Sequence, residues 1–340
     1  MFFHVSLTWL LGPFFLLCLF VLWALKKLHF DHKDCLLPKR LDEKLVVVTG
    51  CNRGIGLEAV GELARRGARV IMACRDMDKC RAARENLLKR FGVHTSGKSA
   101  SEDCPSFLTP IGESQLVCEQ LDLASYGSIR AFAQRILQRE HALDILINNA
   151  GVHLAEPKFD EQDGIEFQMK VNYLGHFLLT ELLFPLLAVA GDARVILLTS
   201  MLHRFAELNM TDICRPVVGS CYGTSKLANV IYARELSRRW ANSDITVVSV
   251  NPGIVKTEIY HSRFRHWVVH SLLPSYIVKT PLQGCQTIVY CALTDDLVPG
   301  ACYTDCRVCR VNPQALKIEV GEFLWETSER LIKQWKVKSQ

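Results

Sequence analysis

The sequence has no long run of basic residues, although its formal net charge is +5. Its 40 Lys and Arg residues are mixed with 35 Asp and Glu residues along a chain of 340. Proteins dedicated to nucleic acids concentrate positive charge on one segment or face, so we expect no nucleic-acid partner. A mild attraction to anionic membrane surfaces is compatible with this charge.

Low-complexity segments and internal repeats are absent too. Hydrophobic residues make up 49% of the chain and charged residues 22%, which is enough apolar material for a sizeable core. This composition excludes a long disordered protein. A length of 340 residues allows one or two domains, since domains commonly hold about 150 residues.

Charged side chains are missing from Val5–Leu25. Because a helix rises about 1.5 Å per residue, about 20 residues cross a hydrocarbon core of about 30 Å. A cleaved signal peptide would carry basic residues before the apolar run and a small-residue cleavage site after it, whereas Lys26 and Lys27 follow here. We therefore predict a retained transmembrane helix. A shallow interfacial helix, bent near Gly12 and Pro13, is the alternative.

The predicted membrane anchor covers residues 1–28, with its span at 5–25, and a polar tether covers 29–41. Three lysines follow the span before residue 34, and no Lys or Arg precedes it. By the positive-inside rule, the bulk of the chain is cytosolic. We expect a single-pass protein of the endoplasmic reticulum membrane.

No complete zinc-binding pattern is present despite 14 cysteines. Cys302, Cys306 and Cys309 form a C-x3-C-x2-C cluster, but no second Cys or Cys/His pair stands at a suitable spacing. We predict no metal, and free thiols in a reducing cytosol. Asn209 lies in a glycosylation sequon that would be used only if the domain faced the lumen, so it serves as a topology reporter.

Short apolar runs alternate with helical patterns from residue 42 onward, which favours a parallel sheet covered on both faces. We predict one α/β catalytic domain at 42–335, built on a doubly wound, Rossmann-type parallel sheet with right-handed connections. Scattered Ser, Gly, Thr and Pro residues predict a surface insertion at 92–115. The predicted strands are Lys44–Thr49, Arg69–Cys74, Leu116–Gln120, Ile145–Ile147, Arg194–Leu198 and Thr246–Val250.

A glycine-rich turn follows the first strand and opens a helix. Such glycines let the backbone approach a pyrophosphate, and the helix N-terminus supplies N–H donors. The spacing G-x3-G-x-G resembles the short-chain dehydrogenase/reductase superfamily. The cofactor-binding candidates in this turn are Gly50, Asn52, Arg53, Gly54, Ile55 and Gly56.

Charge at the end of the second strand distinguishes the two nicotinamide cofactors. An acidic residue there holds the ribose 2′-hydroxyl of NAD, whereas a basic group suits the 2′-phosphate of NADP. Cys74 and Arg75 stand at this point, and Arg53 lies in the glycine turn. Two guanidinium groups favour NADP(H) through charge-assisted hydrogen bonds. Two solvated surface arginines are the alternative interpretation.

Tyr222 and Lys226 form a Y-x3-K pair whose spacing places both on one helix face. A phenol titrates near pH 10, and an adjacent ammonium would favour its phenolate. With Asn172 and Ser200, they are similar to the superfamily's Asn-Ser-Tyr-Lys tetrad. The resemblance implies that Tyr222 transfers the proton and that Ser200 orients the substrate oxygen. It further implies that Lys226 tunes Tyr222 and binds ribose, while Asn172 holds a water.

The same resemblance implies further cofactor contacts beside the adenine, after the fourth strand and after the sixth strand. Asn149 belongs to a segment similar to the family's Asn-Asn-Ala-Gly sequence, and Tyr222 and Lys226 contact cofactor as well as substrate. The further cofactor-binding candidates are Asp122, Asn149, Pro252, Gly253 and Thr257.

Several longer segments resemble the retinol dehydrogenase branch of the superfamily. This resemblance implies hydride transfer between NADP(H) and a lipophilic aldehyde or alcohol, with retinal and retinol favoured. Steroids or other lipid carbonyls, and a cofactor-binding membrane scaffold with little turnover, are the alternatives. The chain departs from the branch at Tyr173, Thr199 and Asn251. The segments are Met72–Asp76, Val171–Thr180, Ser225–Asn229, Gly284–Thr287, Tyr303–Cys306 and Leu324–Ser328.

Residues 254–280 mix basic, aromatic and aliphatic side chains. Our hypothesis is that this segment is a substrate lid that covers an apolar pocket and faces the bilayer. A helix packed on its own core shows the same pattern and is the alternative. A homodimer through the helices beside the active site and a monomer are both compatible with the sequence.

Overall fold

The computed structural model describes residues 34–93, 105–215, 220–256 and 278–338. The predicted anchor at 1–28, the first part of the tether, Thr257 and most of the predicted lid lie outside the described residues.

The fold is built on an eight-stranded sheet with the order β3-β2-β1-β4-β5-β6-β7-β8. Pairing is parallel from β3 across to β7, and only the β7–β8 hairpin is antiparallel in the described sheet. The six predicted strands agree with β1–β6 to within one residue at each end. The strands are β1 (Leu45–Thr49), β2 (Arg69–Cys74), β3 (Leu116–Gln120), β4 (Ile145–Asn148), β5 (Ala193–Leu198), β6 (Ile245–Val250), β7 (Cys302–Thr304) and β8 (Arg307–Val308).

Seven helices of the described chain connect and cover these strands. One of them, α4, contains a π-helical turn at Lys170–Leu174. The helices are α1 (Gly54–Arg65), α2 (Met77–Phe91), α3 (Tyr126–Arg139), α4 (Phe167–Ala188), α5 (Cys221–Arg239), α6 (Pro281–Leu293) and α7 (Ile318–Lys338).

Two separate hydrophobic cores show that both faces of the sheet are covered. Successive side chains of a strand point to opposite faces, and β1 illustrates this directly. Val47 packs in the core formed with α3, α4, α5 and α7. Val46 and Val48 pack in the core formed with α1, α2 and α6. The predicted doubly wound parallel fold is therefore confirmed.

Helix α4 has the length and apolar character of a membrane span. The helix has 22 residues, and its most apolar 18-residue stretch has a mean hydropathy of 1.3, yet 72% of that stretch is buried inside the protein. We therefore assign α4 as a core helix, made apolar by its position between the sheet and α7.

The described end of the tether is packed rather than loose. Arg66, at the end of α1, is 1% exposed, and its guanidinium donates to the carbonyl oxygens of Cys35, Leu37 and Lys39. Cys35 and Leu41 are buried as well. The expectation of a simple polar tether was wrong for residues 34–41, because a buried cation needs acceptors and these carbonyls provide them.

The insertion at 92–115 also differs from a plain surface loop. Ile111 is 1% exposed, and its N–H donates to the carbonyl of Phe91. Thr109 binds the carbonyl of Arg65, and Glu113–Gln115 form a 3₁₀ turn that leads into β3. The return half of the insertion is thus tied to the ends of α1 and α2.

Candidate active site

A cleft of about 670 Å³ opens at the carboxyl ends of the central strands. Ligands bind at this place in open α/β sheets. The connection after β1 leads to β2 and the connection after β4 leads to β5, on opposite sides of the β1–β4 pair, so a crevice is left between the two connections. Five predicted cofactor residues line this cleft together: Gly50, Asn52, Arg53, Arg75 and Asp122.

The glycine turn is shaped for an anion. Gly50 and Gly54 have φ angles of +63° and +60°, a region that other L residues rarely adopt. The residue before α1, Arg53, makes no side-chain cap, and the first turn of α1 carries no acidic residue. The N–H groups and positive dipole end of α1 therefore point toward the cleft without a protein carboxylate in front of them.

Asn149 braces this turn from behind. Its amide donates to the carbonyl oxygens of Thr49 (2.7 Å) and Gly50 (3.1 Å). A Cβ added at Gly56 would lie 2.4 Å from Nδ2 of Asn149, so the close approach requires glycine. The neighbouring predicted residue Ile55 does not line the cleft; its side chain packs toward Gly284 of α6.

The end of β2 presents positive charge to the cleft. Arg53, Arg75 and Lys79 all line it, and both arginines are exposed. The nearby carboxylate of Asp76 accepts from the N–H groups of Asp78 and Lys79 as the N-cap of α2 and also pairs with the Lys79 ammonium. These hydrogen bonds, led by the one from the Lys79 N–H, hold the pKa of Asp76 below its usual range. The Asp76 carboxylate therefore serves as the N-cap of α2 and as the partner of the Lys79 ammonium.

Asp122 lines the cleft directly after β3. Its carboxylate accepts from the N–H of Ala124 (2.9 Å), while its own N–H donates to the hydroxyl of Ser128 (2.9 Å). The hydrogen bond between the Asp122 N–H and the Ser128 hydroxyl connects the end of β3 to the first turn of α3.

Tyr222 and Lys226 lie on the first turns of α5, which Ser220 caps by accepting from the N–H of Gly223 (3.1 Å). Nζ of Lys226 is 5.7 Å from the ring centre of Tyr222 and donates to the carbonyl of Leu198 at the end of β5 (3.1 Å). Burial lowers the pKa of Lys226 to about 8. The helix thus places an ammonium beside the half-buried phenol, where it favours loss of the phenolic proton.

Asn172 lies inside the π turn of α4, and such turns are frequent at functional sites. Its side chain accepts from the N–H of Val152 (2.7 Å) and donates to the carbonyl of Val152 and to the hydroxyl of Ser225 (both 3.0 Å). A Cβ added at Gly151 would lie 3.3 Å from Nζ of Lys226 and 3.4 Å from Oδ1 of Asn172. Since Gly151 and Val152 line the cleft, Asn172 and Lys226 adjoin its inner end.

Ser200 follows β5 and begins a 3₁₀ turn at Met201–Phe205. Its Oγ accepts from the N–H of Leu202 (3.3 Å), which leaves the hydroxyl hydrogen able to turn toward a ligand. The adjacent Thr199 points the other way and donates to the carbonyl of Lys226 (2.8 Å). The Ser200 hydroxyl is therefore available to a ligand, whereas the Thr199 hydroxyl is used to connect β5 to α5.

Three polar residues near the tetrad were missed by the sequence reasoning. Asn229 donates to the carbonyls of Asn172 (3.1 Å) and Leu198 (3.0 Å), and so ties α4, α5 and β5 together. The ring of buried His153 packs edge-on against Tyr222, with centres 4.8 Å apart. Asn229 belonged to a recognised segment, whereas His153 stands on a loop and gave no local signal.

The third missed residue is Lys279, which supports the turn after β6. Asn251 accepts from the N–H of Gly253 (3.1 Å), and a Cβ at Gly253 would lie 3.3 Å from Nζ of Lys279. Lys279 is buried and pairs with Asp305 of the β7–β8 turn. Its backbone also bonds to Ile254 and Lys256, so the two ends of the predicted lid are held together.

The three neighbouring cysteines Cys302, Cys306 and Cys309 lie in or beside the β7–β8 hairpin. Among the described residues, no group of three or more His, Cys, Asp or Glu side chains is placed to hold a metal ion. Cys302 is buried under the β7–β8 hairpin, while Cys306 and Cys309 are half-buried.

Comparisons with known proteins match this geometry. The profile of the short chain dehydrogenase family covers residues 44–99 and 93–267. Retinol dehydrogenase 14 of Mus musculus is 38% identical over 307 residues, which cover 87% of this chain and 87% of that protein. The chain belongs to the short-chain dehydrogenase/reductase family, in its retinol dehydrogenase-like branch.

Other relatives of this short-chain dehydrogenase agree. Retinol dehydrogenase 12 of Bos taurus is 38% identical over 323 residues, covering 94% of this chain and 95% of that protein. A solved structure of an uncharacterized protein from Mycobacterium paratuberculosis has a TM-score of 0.66 at 28% identity, covering 88% of this chain and 97% of that one. A short chain dehydrogenase from Shigella flexneri complexed with NADP shares the fold, with a TM-score of 0.57 at 22% identity over 81% of this chain and 100% of that one.

Family membership and the cleft together make this dehydrogenase an oxidoreductase that uses NAD or NADP. The glycine cradle, the open N-terminus of α1 and the cations at the end of β2 fit a dinucleotide. The predicted site residues that the structure describes come from the ends of six strands and from three helices, which is typical of function placed at the edge of such a sheet.

Proposed function

We propose that this enzyme transfers a hydride between NADP(H) and a lipophilic carbonyl or alcohol, with retinal and retinol as the favoured pair. One observation carries the chemistry: Lys226 and Asn172 meet at the inner end of a cleft that is lined at its outer end by a glycine turn and cations. The names of the relatives that are 36–38% identical, which are retinol dehydrogenases 11, 12 and 14, support the substrate class.

The proton transfer is assigned to Oη of Tyr222. In reduction, Tyr222 protonates the carbonyl oxygen; NADPH, when held by the glycine turn and the cations of the cleft, would supply the hydride. Ser200 donates a hydrogen bond to the same oxygen and so orients it. The ammonium of Lys226 stabilises the phenolate left behind, and reprotonation passes from solvent along the Asn172 side of the site.

The preference for NADP(H) follows from the charges at the outer end of the cleft. Arg53, Arg75 and Lys79 offer donors to a 2′-phosphate, and each charge-assisted hydrogen bond contributes about 1.5–3 kcal/mol. Asp76, which would suit a ribose hydroxyl, is occupied by its cap and by Lys79.

We further propose that the chain is held in a bilayer by residues 5–25 and that 42–335 form one catalytic domain on the cytosolic side. The apolar run and the lysines after it support this arrangement. The lid at 254–280 would then admit a lipid-soluble substrate from the membrane.

Purified full-length protein in detergent tests the proposal. NADPH and NADH are compared with all-trans-retinal, a steroid ketone and a medium-chain aldehyde, and rates are followed by loss of reduced cofactor. We expect the highest kcat/KM with NADPH and retinal, and a loss of at least 100-fold in Tyr222→Phe with unchanged thermal stability. Turnover of the steroid ketone alone would contradict the retinal proposal and identify steroids as the substrate class. Cofactor binding without any turnover would support the scaffold alternative.

A further inference from the structure

Two thiols lie in contact directly behind the wall of the cofactor cleft. Cys51 belongs to the glycine turn and Cys74 ends β2, and their Sγ atoms are 3.7 Å apart. Both side chains are buried, at 0% and 2% exposure. The residues that flank them line the cleft: Gly50, Asn52, Ala73 and Arg75.

Two more cysteines extend this pair toward the surface. Cys80 of α2 is buried, donates its S–H to the carbonyl of Met72 (3.4 Å), and lies near the thiols of Cys74 and Cys118. Cys118 of β3 is half-buried. In the described chain these thiols are not gathered with other ligands into a metal site. Their chemistry is therefore that of thiols in mutual contact.

The environment of the pair is asymmetric. The thiols of Cys51 and Cys80, together with the N–H groups of Cys51 and Asn52, surround the sulfur of Cys74 and hold the pKa of Cys74 below its usual range. Burial raises the pKa of Cys51, which stays a thiol. Since the thiolate is the nucleophilic form, Cys74 is the reactive member and Cys51 its partner.

We propose that Cys51 and Cys74 are a modification site, where hydrogen peroxide forms a reversible disulfide that disables the cofactor site. The thiolate of Cys74 attacks one peroxide oxygen, so an S–O bond forms, the O–O bond breaks, and hydroxide leaves and is protonated to water. The sulfur of Cys51 then displaces the sulfenic oxygen, which leaves as a second water with the Cys51 proton. Two thiols are oxidised and one peroxide is reduced.

Disulfide formation and cofactor binding oppose each other in this geometry. An S–S bond is about 2.05 Å long, so the two sulfur atoms must approach from 3.7 Å. Cys51 sits between Gly50, which has φ +63°, and Asn52, so its movement toward β2 shifts the turn that faces the cofactor phosphates. A bound cofactor would hold that turn in place and so oppose the movement of Cys51 toward β2. This second part of the proposal rests on the proposed function, whereas the disulfide itself does not.

Peptide mapping of the full-length protein tests the disulfide directly. The protein is treated with hydrogen peroxide alone, with NADPH or with NADH, and is then alkylated, digested with trypsin without reductant, and analysed by mass spectrometry. Cys51 and Cys74 fall alone in the tryptic peptides Leu45–Arg53 and Val70–Arg75. We expect these two peptides to be linked, the link to vanish with dithiothreitol, and NADPH to reduce its yield at least fivefold.

A protein that shows no such link, while its Cys302 and Cys309 peptides become linked, would overturn the proposal. Those two residues hydrogen-bond through their thiols and are the competing pair. Protection by NADH and not by NADPH would leave the disulfide standing and contradict the NADP(H) assignment, so the two failures are distinguishable.

Cofactor binding provides the second readout. After oxidation, the wild-type Kd for NADPH, measured by tryptophan fluorescence, should rise at least tenfold and recover with dithiothreitol. Cys51→Ala should retain its Kd under peroxide, and Cys74→Ala is the second variant if the first unfolds. Cys309→Ser is the matched control and should lose affinity as the wild type does. Equal loss in Cys51→Ala and Cys74→Ala would show that another oxidation is responsible.

Discussion

Lys226 is a buried lysine whose loss of hydration makes its charged form less stable, while its position beside Tyr222 makes that charge useful. It is 3% exposed, and the resulting desolvation lowers its pKa from 10.5 to about 8. Because this pKa still lies above 7, the side chain stays largely protonated at neutral pH, and its ammonium donates to the Leu198 carbonyl (3.1 Å). His176 shows the opposite outcome: burial lowers the pKa of His176 to about 3, so its ring is neutral and serves only to hydrogen-bond Thr49 and Asn172.

The pKa of Lys226 predicts an alkaline limit of activity. As pH rises through about 8, Lys226 loses its proton and no longer stabilises the Tyr222 phenolate, so kcat for carbonyl reduction should fall. The check is kcat with saturating NADPH between pH 6.5 and 9.5. Lys226→Arg keeps its charge across this range, so its kcat should be lower overall but its alkaline limb should move upward. An unmoved limb in that variant would assign the ionisation to another group.

Arg75 is the second residue that allows a test at the residue scale, because the proposed preference for NADPH over NADH depends on its positive charge in the cleft. Arg75→Ala should raise KM for NADPH about 10- to 100-fold, as expected for one charge-assisted bond, and leave KM for NADH within about twofold. Arg81 is the matched control, because it lies one turn further along α2, pairs with Asp78, and does not line the cleft. Equal effects of Arg75→Ala on both cofactors would argue that the side chain has only a structural role.

At the scale of elements, the ends of strands and the starts of helices build the site. The first turn of α1 faces the cleft because β1 ends at Thr49, and the π turn of α4 lets Asn172 face Val152. Tyr173, one of the residues at which this chain differs from the retinol dehydrogenase branch, lies in the same helix. The hydroxyl of Tyr173 hydrogen-bonds to the hydroxyl of Ser328 in α7 (2.7 Å), away from the active site.

The junction of α1 with Asn149 predicts a sharp effect of a single methyl group. A Cβ at Gly56 would clash with Nδ2 of Asn149 at 2.4 Å and with the carbonyl of Gly50 at 2.9 Å. Gly56→Ala should lower the free energy of unfolding by about 1–3 kcal/mol and weaken NADPH binding more than tenfold. Thermal melts and fluorescence titration measure both. Gly127→Ala, in the first turn of α3, meets no atom within 4 Å and should be neutral or stabilising.

At the scale of the whole molecule, α7 closes one side of the fold. Trp325 packs edge-on against Phe177 of α4, with centres 5.1 Å apart, and the guanidinium of Arg239 lies 4.1 Å from its ring centre. The outer face of α4 and α5 is thus already covered by the chain's own last helix. A second copy has little apolar surface to bury there.

This packing predicts a monomer, which is one of the two oligomeric states that the sequence left open. Full-length protein in detergent should scatter light as one polypeptide of 38.5 kDa after subtraction of the detergent. A chain that elutes with twice this mass at micromolar concentration would contradict the prediction and show that another face makes the contact.

The sequence by itself determined the parallel sheet, since six apolar runs separated by helical patterns have few other ways to bury both faces. It also determined the glycine turn, the Y-x3-K pair and the arginines, because these chemistries lie in short contiguous segments. It missed β7 and β8, whose three and two residues carry no periodicity. It also gave the wrong character to 34–41 and to part of 92–115.

Only the tertiary structure decided which side chains meet across distant segments. Cys51 and Cys74 are 23 residues apart, and their contact depends on the register of β1 and β2. His153 against Tyr222, Lys279 under Gly253, and Arg66 on the carbonyls of the tether likewise depend on packing between elements. Local patterns encode chain direction and burial, whereas such contacts depend on how the elements are arranged in space.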